Sequence, residues 1–86
     1  MVKSLRSPEH SALIALVMSA RKKAGLTQQS LAERLGRHQS FVAKVEGGER
    51  RLDVIEFVAI ARALSQDPAA GIRQLHSLMR RARRRQ

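Results

Sequence analysis

Apolar residues recur three and four positions apart in several stretches of the chain, which is the spacing of an α-helix that packs on one face. The first stretch carries Leu13, Leu16, Val17, Ala20 and Ala24. Nowhere do β-branched residues alternate with polar ones, as they do in a half-buried strand. The pattern therefore predicts an all-α fold.

Residues that favour helix starts precede the apolar stretches and divide the chain into five predicted helices. Ser, Thr and Asp side chains accept hydrogen bonds from the first free amides of a helix, and Pro suits the first helical position. The predicted capping residues are Ser7, Thr27, His38, Asp53 and Asp67. Together with turns at Gly25 and Gly36 they predict a compact five-helix bundle.

The last two predicted helices carry further apolar stripes. The fourth is expected to face the core with Val54, Phe57, Ile60, Ala61 and Leu64. The fifth carries Ile72, Leu75, Leu78 and Met79, and nothing in the sequence stops it before the chain ends. We predict a flexible N-terminal arm over residues 1–6, a domain over residues 7–79 and an Arg-rich tail over residues 80–86.

The composition favours a small domain with a polyanionic partner. The chain has 86 residues, with 17 Lys and Arg against 7 Asp and Glu, and a net charge of +10. Five arginines lie within residues 80–86, and without them the net charge would still be +5. Because the body of the domain is basic without the tail, the prediction of a nucleic-acid partner does not depend on the tail alone.

Two features of the sequence bear on its environment. The chain has no cysteine, which excludes disulfides and thiolate metal sites. No apolar run approaches the roughly 20 residues that span a bilayer, and no secretory signal is recognisable. We expect a cytoplasmic protein associated with the nucleoid.

Residues 25–48 are predicted to form two short helices joined by a tight turn. Leu31, Ala32 and Leu35 give the first helix its apolar stripe, and Val42 and Val45 point inward from the second. Two short helices with a glycine in their turn form a helix-turn-helix, whose second helix can lie in the major groove of DNA.

An ordered set of motifs in this region resembles the Cro/C1-type (XRE-like) helix-turn-helix family. The motifs are Gly25-Leu26-Thr27-Gln28, Leu31-Ala32, Leu35-Gly36, Gln39-Ser40, Lys44-Val45-Glu46 and Gly48. The resemblance extends from about Leu13 to about Leu64. It implies the fold of the lambda-repressor-like DNA-binding domains and a role in transcription regulation in bacteria or phages.

The resemblance implies that four residues of the second helix face the bases, namely Gln39, Ser40, Ala43 and Lys44. Their chemistry suits this role. A Gln amide matches the N6 and N7 edge of adenine, Lys can donate to guanine, and Ala can meet a thymine methyl group. Ser is small enough to approach a base edge or a phosphate.

Phosphate contacts are expected on both sides of that helix. The resemblance implies them for Gln28, Arg50 and Arg51, for which a solvated surface position is the alternative. Arg37 and His38 replace the small hydroxyl-bearing residues usual in the family. Arg37 adds a charge beside the DNA backbone, and His38 is a candidate for capping, for phosphate contact or for neither. Leu52 stands where the family often has Pro, which leaves the path of this loop open.

The resemblance also implies a buried ion pair between Arg21 and Glu46, which would hold the first helix against the third. Catalysis is not indicated, because His10, His38 and His76 share no spacing suited to a metal. Asp53 and Glu56 are expected to serve as helix caps. We expect no enzymatic activity, no metal and no cofactor.

Three functions remain open from the sequence. The first is a sequence-specific regulator that reads an inverted repeat as a two-fold dimer. The stripe of Ile72, Leu75, Leu78 and Met79 is the expected interface, unless it only packs on its own core. The second is an antitoxin that binds a toxin and represses its own operon. The third is a non-specific polyanion or membrane-surface binder that uses the Arg-rich C-terminus.

Overall fold

The computed structural model describes residues 7–84, so the predicted arm over residues 1–6 and the end of the predicted Arg-rich tail lie outside the described residues. Within this range the chain forms five α-helices and no strand, which confirms the all-α prediction. The helices are α1 (Pro8–Lys23), α2 (Gln28–Leu35), α3 (Gln39–Glu46), α4 (Val54–Ala63) and α5 (Pro68–Arg84).

The helices begin at the residues that the sequence predicted. Ser7 Oγ accepts from the amide of His10, and Thr27 Oγ1 accepts from that of Ser30, each at 3.0 Å. His38 Nδ1 accepts from the amide of Ser40 at 3.2 Å, so a histidine caps α3. These bonds satisfy amides that the first turn of a helix leaves without a backbone partner.

Helices α2 and α4 end in the same way, with a left-handed residue followed by a hydrogen bond back to the last turn. Gly36 has φ +68° after α2, and the amide of Arg37 donates back to the carbonyl of Ala32 at 2.9 Å. After α4 the corresponding left-handed position is Ser65, with φ +57°, and Gln66 donates to Ala61. The left-handed conformation favours glycine, so Ser65 holds a backbone position that suits its side chain poorly.

The core lies where the helix-turn-helix packs against α1 and α4. Its buried members are Val17, Leu31, Ala32, Phe41, Val42, Val45, Ile60 and Leu64. Leu52 packs against this cluster and anchors the loop between α3 and α4 at the position where the family often has Pro. Since α2 and α3 contribute five of these eight residues, their relative orientation is fixed by packing.

Two residues that the apolar pattern assigned to the core are exposed. Val54 is 72% exposed, because it is the first residue of α4 and lies beyond the edge of the core. Ala24 is exposed because it follows the last residue of α1 as its C-cap. The predicted inner-face residues Phe57, Ile60 and Leu64 are buried.

The last helix packs mainly on α1 and also contacts α4. Gly71 faces Phe57 closely, since a Cβ atom built on Gly71 would lie 3.0 Å from Phe57 Cζ. This close approach explains a glycine inside a helix. The helix continues without a break to Arg84, so the described part of the Arg-rich segment extends α5. None of the described helices has the length and apolarity needed to cross a membrane.

Candidate nucleic-acid interface

The third helix has one side that is buried against the domain and one side that faces solvent. Phe41, Val42, Val45 and Glu46 are buried against the rest of the domain. The predicted base-reading residues occupy the other side, where Gln39, Ser40 and Ala43 are half-buried and Lys44 is exposed. The buried side fixes the helix, so the polar side is presented to solvent in one orientation.

A buried ion pair joins the start and the end of the helix-turn-helix to α1. Arg21 Nε donates to Glu46 Oε2 at 2.7 Å, and Arg21 Nη2 donates to Glu46 Oε1 at 3.0 Å. Arg21 Nη1 also donates to the carbonyl of Leu26 at 2.8 Å. The hydrogen bonds to Glu46 raise the pKa of Arg21 above its ordinary value. The structure thus contains the pair that the family resemblance implied.

Gln28 connects this ion pair to the polar side of α3. Its Nε2 donates to Glu46 Oε1 at 3.0 Å, and its Oε1 accepts from Gln39 Nε2 at 2.8 Å. The sequence predicted Gln28 as a phosphate contact, with a solvated surface position as the alternative. In the structure its side chain bridges two protein partners, so one side-chain N–H and the first-turn backbone amide are what remain for a phosphate.

The bridge through Gln28 fixes the amide of Gln39. Because Gln39 uses one N–H of Nε2 for this bond, its Oε1 and its second N–H are left for other partners. One acceptor and one donor on the same amide are the pair that adenine requires at N6 and N7. The side chain is therefore held in place before any partner arrives.

His38 and Ser40 interact with each other at the start of α3. Besides accepting from the Ser40 amide, His38 Nδ1 lies 3.0 Å from Ser40 Oγ. When Nδ1 accepts, the proton of a neutral imidazole is on Nε2. Of the open interpretations of His38, the structure shows capping, and the exposed ring leaves room for a second role.

Two of the predicted phosphate contacts are held by one carboxylate. Arg50 Nη1 and Nη2 donate to Glu56 Oε1 and Oε2 at 3.0 and 2.7 Å. Arg37 Nη2 donates to Glu56 Oε2 at 3.1 Å. Both guanidinium groups also lie over the ring of Phe41, 4.2 Å from its centroid for Arg37 and 4.8 Å for Arg50.

The arginines strongly stabilise the ionised form of Glu56. The hydrogen bond from Arg50, followed by that from the Asp53 amide, lowers the pKa of Glu56 to about 2. The same bond raises the pKa of Arg50. Sequence reasoning identified Glu56 only as a capping residue, and it does cap, since its Oε1 accepts from the Asp53 amide at 3.0 Å. Its bonds to Arg37 and Arg50 were missed.

The remaining predicted residues lie on two separate surfaces. Arg51 is exposed beside Arg50, and its carbonyl accepts from Arg50 Nη1 at 2.6 Å. On α5, Ile72 is 48% exposed, whereas Leu75, Leu78 and Met79 are half-buried. The stripe predicted as a dimer interface therefore packs partly within its own chain and leaves Ile72 as its most accessible member.

The histidines do not come together in the part of the chain that the structure describes. His10 is buried in α1, His38 caps α3 and His76 is exposed on α5. Among residues 7–84 no three His, Asp or Glu side chains are grouped so that they could hold a metal ion.

A short second helix fixed in a hydrophobic core, with polar side chains on its outer face, defines a helix-turn-helix domain. The helix-turn-helix family model matches residues 17–69. A solved structure of an XRE-family like protein from Pseudomonas syringae pv. tomato str. DC3000 is 47% identical and superposes with a TM-score of 0.80. The match covers 88% of this chain and 93% of that one. No curated protein matches.

The chain belongs to the Cro/C1-type (XRE) helix-turn-helix family. The family match and the structural relative support the conclusion that the chain is a DNA-binding transcription regulator.

Proposed function

We propose that the protein binds double-stranded DNA sequence-specifically, as a small prokaryotic or phage transcription regulator that acts as a repressor in the cytoplasm. In this proposal α3 enters the major groove. The observation that carries it is the polar side of α3, where Gln39 is held by Gln28 while the opposite side is buried. Fixed donors and acceptors lose little freedom on binding, which favours recognition of one base sequence over others.

The four outward residues of α3 read the bases in this proposal. Gln39 lies nearest the helix start, the end that approaches the base edges first, and pairs with adenine. Lys44 donates to guanine or to a phosphate, and Ala43 contacts a thymine methyl group. Ser40 contacts a base edge or a phosphate beside Gln39.

The backbone contacts come from residues that flank α3. Arg37 and His38 precede the helix, Arg50 and Arg51 follow it, and Gln28 contributes from the start of α2. These contacts position the helix without reading sequence. The net charge of +10 adds attraction to any DNA, and this attraction weakens as salt rises.

Two copies are proposed to bind together through α5. One short helix reads few base pairs, and a two-fold dimer doubles the site by reading two half-sites about 34 Å apart. The exposed Ile72 and the stripe that continues along α5 support this surface as the contact. The matching DNA site is an inverted repeat.

Selection from a random duplex library at physiological salt tests this function. We expect enrichment of an inverted repeat whose half-site centres lie about one helical turn apart. The Gln39→Ala and Lys44→Ala variants should each lose preference at one base pair, by about 1–3 kcal/mol. Gln66→Ala removes the same amide from an exposed position between α4 and α5, and it should leave the selected sequence unchanged.

The other outcomes of the selection point to the alternatives. If no sequence is enriched by the chain alone, specific recognition by this chain is contradicted. Co-purification of a second chain, such as a toxin, would then indicate an antitoxin. A deletion of residues 80–86 separates the non-specific binder. A specific regulator keeps its preferred site and loses salt-dependent affinity, whereas a binder that relies on the arginines loses nearly all affinity.

A further inference from the structure

Four residues from four successive segments meet beside the start of α3. Arg37 comes from the turn between α2 and α3, Phe41 from α3, Arg50 from the following loop and Glu56 from the first turn of α4. We call this group the Glu56 cluster. Its centre is Glu56 Oε2, which accepts from Arg37 at 3.1 Å and from Arg50 at 2.7 Å.

The cluster holds two like charges next to each other. Guanidinium groups that share one carboxylate oxygen would repel each other strongly without the carboxylate between them. Glu56 is well placed to counter this repulsion, because its side chain is only 12% exposed. The ring of Phe41 attracts both cations as well. The two arginines are therefore fixed in a pair that they would not form by themselves.

Both arginines keep donors and exposure for an external anion. Arg37 uses one of its five N–H groups for Glu56, and its side chain is 44% exposed. Arg50 uses three of its five for Glu56 and the Arg51 carbonyl, and its side chain is 39% exposed. Two fixed guanidinium groups with unused N–H groups match the several acceptor oxygens of a phosphate.

We propose that the Glu56 cluster is a preorganised site for a phosphate of the DNA backbone, in which Glu56 and Phe41 are positioning residues for Arg37 and Arg50. The inference rests on the proposed DNA-binding function and adds a role for an acidic residue. A carboxylate near DNA normally weakens binding by repulsion. Here its ordering of two flexible side chains outweighs that repulsion at the specific site.

This role predicts opposite changes in specific and non-specific binding. The Glu56→Gln variant removes one negative charge, which strengthens attraction to any DNA. It also removes the carboxylate that orders the two arginine side chains. Their conformational freedom is then lost only when DNA binds, which weakens specific binding. Gln can still accept from the Asp53 amide, so the cap of α4 is kept. A residue with only a structural role would not change the ratio of the two affinities.

The experiment compares Glu56→Gln with Glu49→Gln in full-length protein, by fluorescence anisotropy. Glu49→Gln makes the same change of charge at an exposed position in the adjoining loop. The probes are labelled duplexes that carry the enriched sequence or a scrambled copy. We expect Glu56→Gln to weaken binding to the enriched duplex about tenfold while scrambled binding is unchanged or stronger. Glu49→Gln should strengthen both alike.

A second variant and the wild type make the test decisive. Arg50→Lys keeps the charge but cannot bind both carboxylate oxygens, so it should lose specific affinity while scrambled binding stays unchanged. If Glu56→Gln behaves as Glu49→Gln does, or if Arg50→Lys binds the enriched duplex normally, the proposal is overturned. Failure of the wild type to prefer the enriched duplex would instead contradict the proposed function and this inference together.

Discussion

The bonds of Arg21, Glu46, Gln28 and Gln39 form one connected series from α1 to the outer side of α3. The Arg21 and Glu46 side chains are 10% and 3% exposed, so their charges are largely removed from water. Such a pair adds little net stability compared with apolar residues, yet each partner makes the burial of the other tolerable. Loss of one partner should therefore matter more for folding than for base contacts.

We expect Glu46→Ala to lower the midpoint of thermal unfolding strongly. The change leaves the Arg21 cation buried without its partner and removes an acceptor from Gln28, which together should cost about 3–5 kcal/mol. Circular dichroism during heating measures it. Glu49→Ala removes an exposed carboxylate from the adjoining loop and should change the midpoint little. An unchanged midpoint for Glu46→Ala would contradict the structural role of the pair.

Glu56 should make the free energy of unfolding depend on pH over a defined range. Its pKa is lowered from 4.5 to about 2 by the bonds from Arg50 and the Asp53 amide. Because the pKa is lowered in the folded state, Glu56 takes up a proton at a higher pH in the unfolded chain than in the folded one. Its contribution to the free energy of unfolding is therefore complete above pH 4.5 and is lost as the pH falls through about 2. Salt should reduce it, because Arg50 is partly exposed.

The difference in unfolding midpoint between the wild type and Glu56→Gln isolates this contribution from the other acidic groups. We expect the difference to be constant from neutral pH down to about 5 and then to shrink toward pH 2. Thermal melts at a series of pH values measure it. A difference that stays the same down to pH 2 would show that the carboxylate gains nothing from its arginine partners.

These residue contacts mark the limit of what the sequence could predict. Glu56 follows Asp53 by three positions, which is enough to predict a capping box and nothing more. Its bonds to Arg37 and Arg50 depend on how α4 and two loops pack around Phe41. No spacing along the sequence predicts these contacts between Glu56 and the two arginines. Gln28 is similar, since its two partners lie 11 and 18 residues away.

At the scale of elements, the sequence was most informative where the interactions are local. The caps at Ser7, Thr27 and Asp53 each join a side chain to an amide three residues later, so they can be recognised without the fold. The assignment of Val54 to the core was wrong for the opposite reason. Helical spacing gives the direction of a residue, but the extent of the core decides whether it is buried.

The end of α4 offers a test of how a left-handed residue affects the stability of the fold. Ser65 adopts φ +57° in the position where α2 ends with a glycine. We expect Ser65→Gly to stabilise the fold by about 1 kcal/mol, because glycine adopts this conformation without steric cost. For a domain of this size, that corresponds to a rise of roughly 4–8 °C in the melting midpoint.

Ser77→Gly is the matched control for that change, since Ser77 is exposed in the interior of α5. Glycine there should lower the midpoint, because it loses more conformational freedom in a helix. If both variants lower the midpoint alike, the left-handed position of Ser65 has no energetic consequence, and the expectation for α4 is wrong.

At the scale of the whole molecule, α5 packs within its own chain and is also the surface of the proposed dimer. Within the chain it packs on α1. The proposed second copy approaches it through the exposed Ile72. Dimerisation also brings together two chains that each carry a net charge of +10. The repulsion between them opposes association in free solution and is reduced by salt or by DNA, which screens or neutralises the charge.

We therefore expect the monomer–dimer equilibrium to shift toward the dimer as salt rises, measured by sedimentation. Ile72→Glu places a charge in the proposed contact and should keep the protein monomeric without unfolding it, because Ile72 is 48% exposed. Ser77→Glu adds the same charge at another exposed position of α5 and should leave the dimer intact. Dimers that persist equally in both variants would place the contact elsewhere. If the wild type stays monomeric at high salt and on DNA, the proposed dimer is contradicted. The stripe of α5 then serves only to pack on α1.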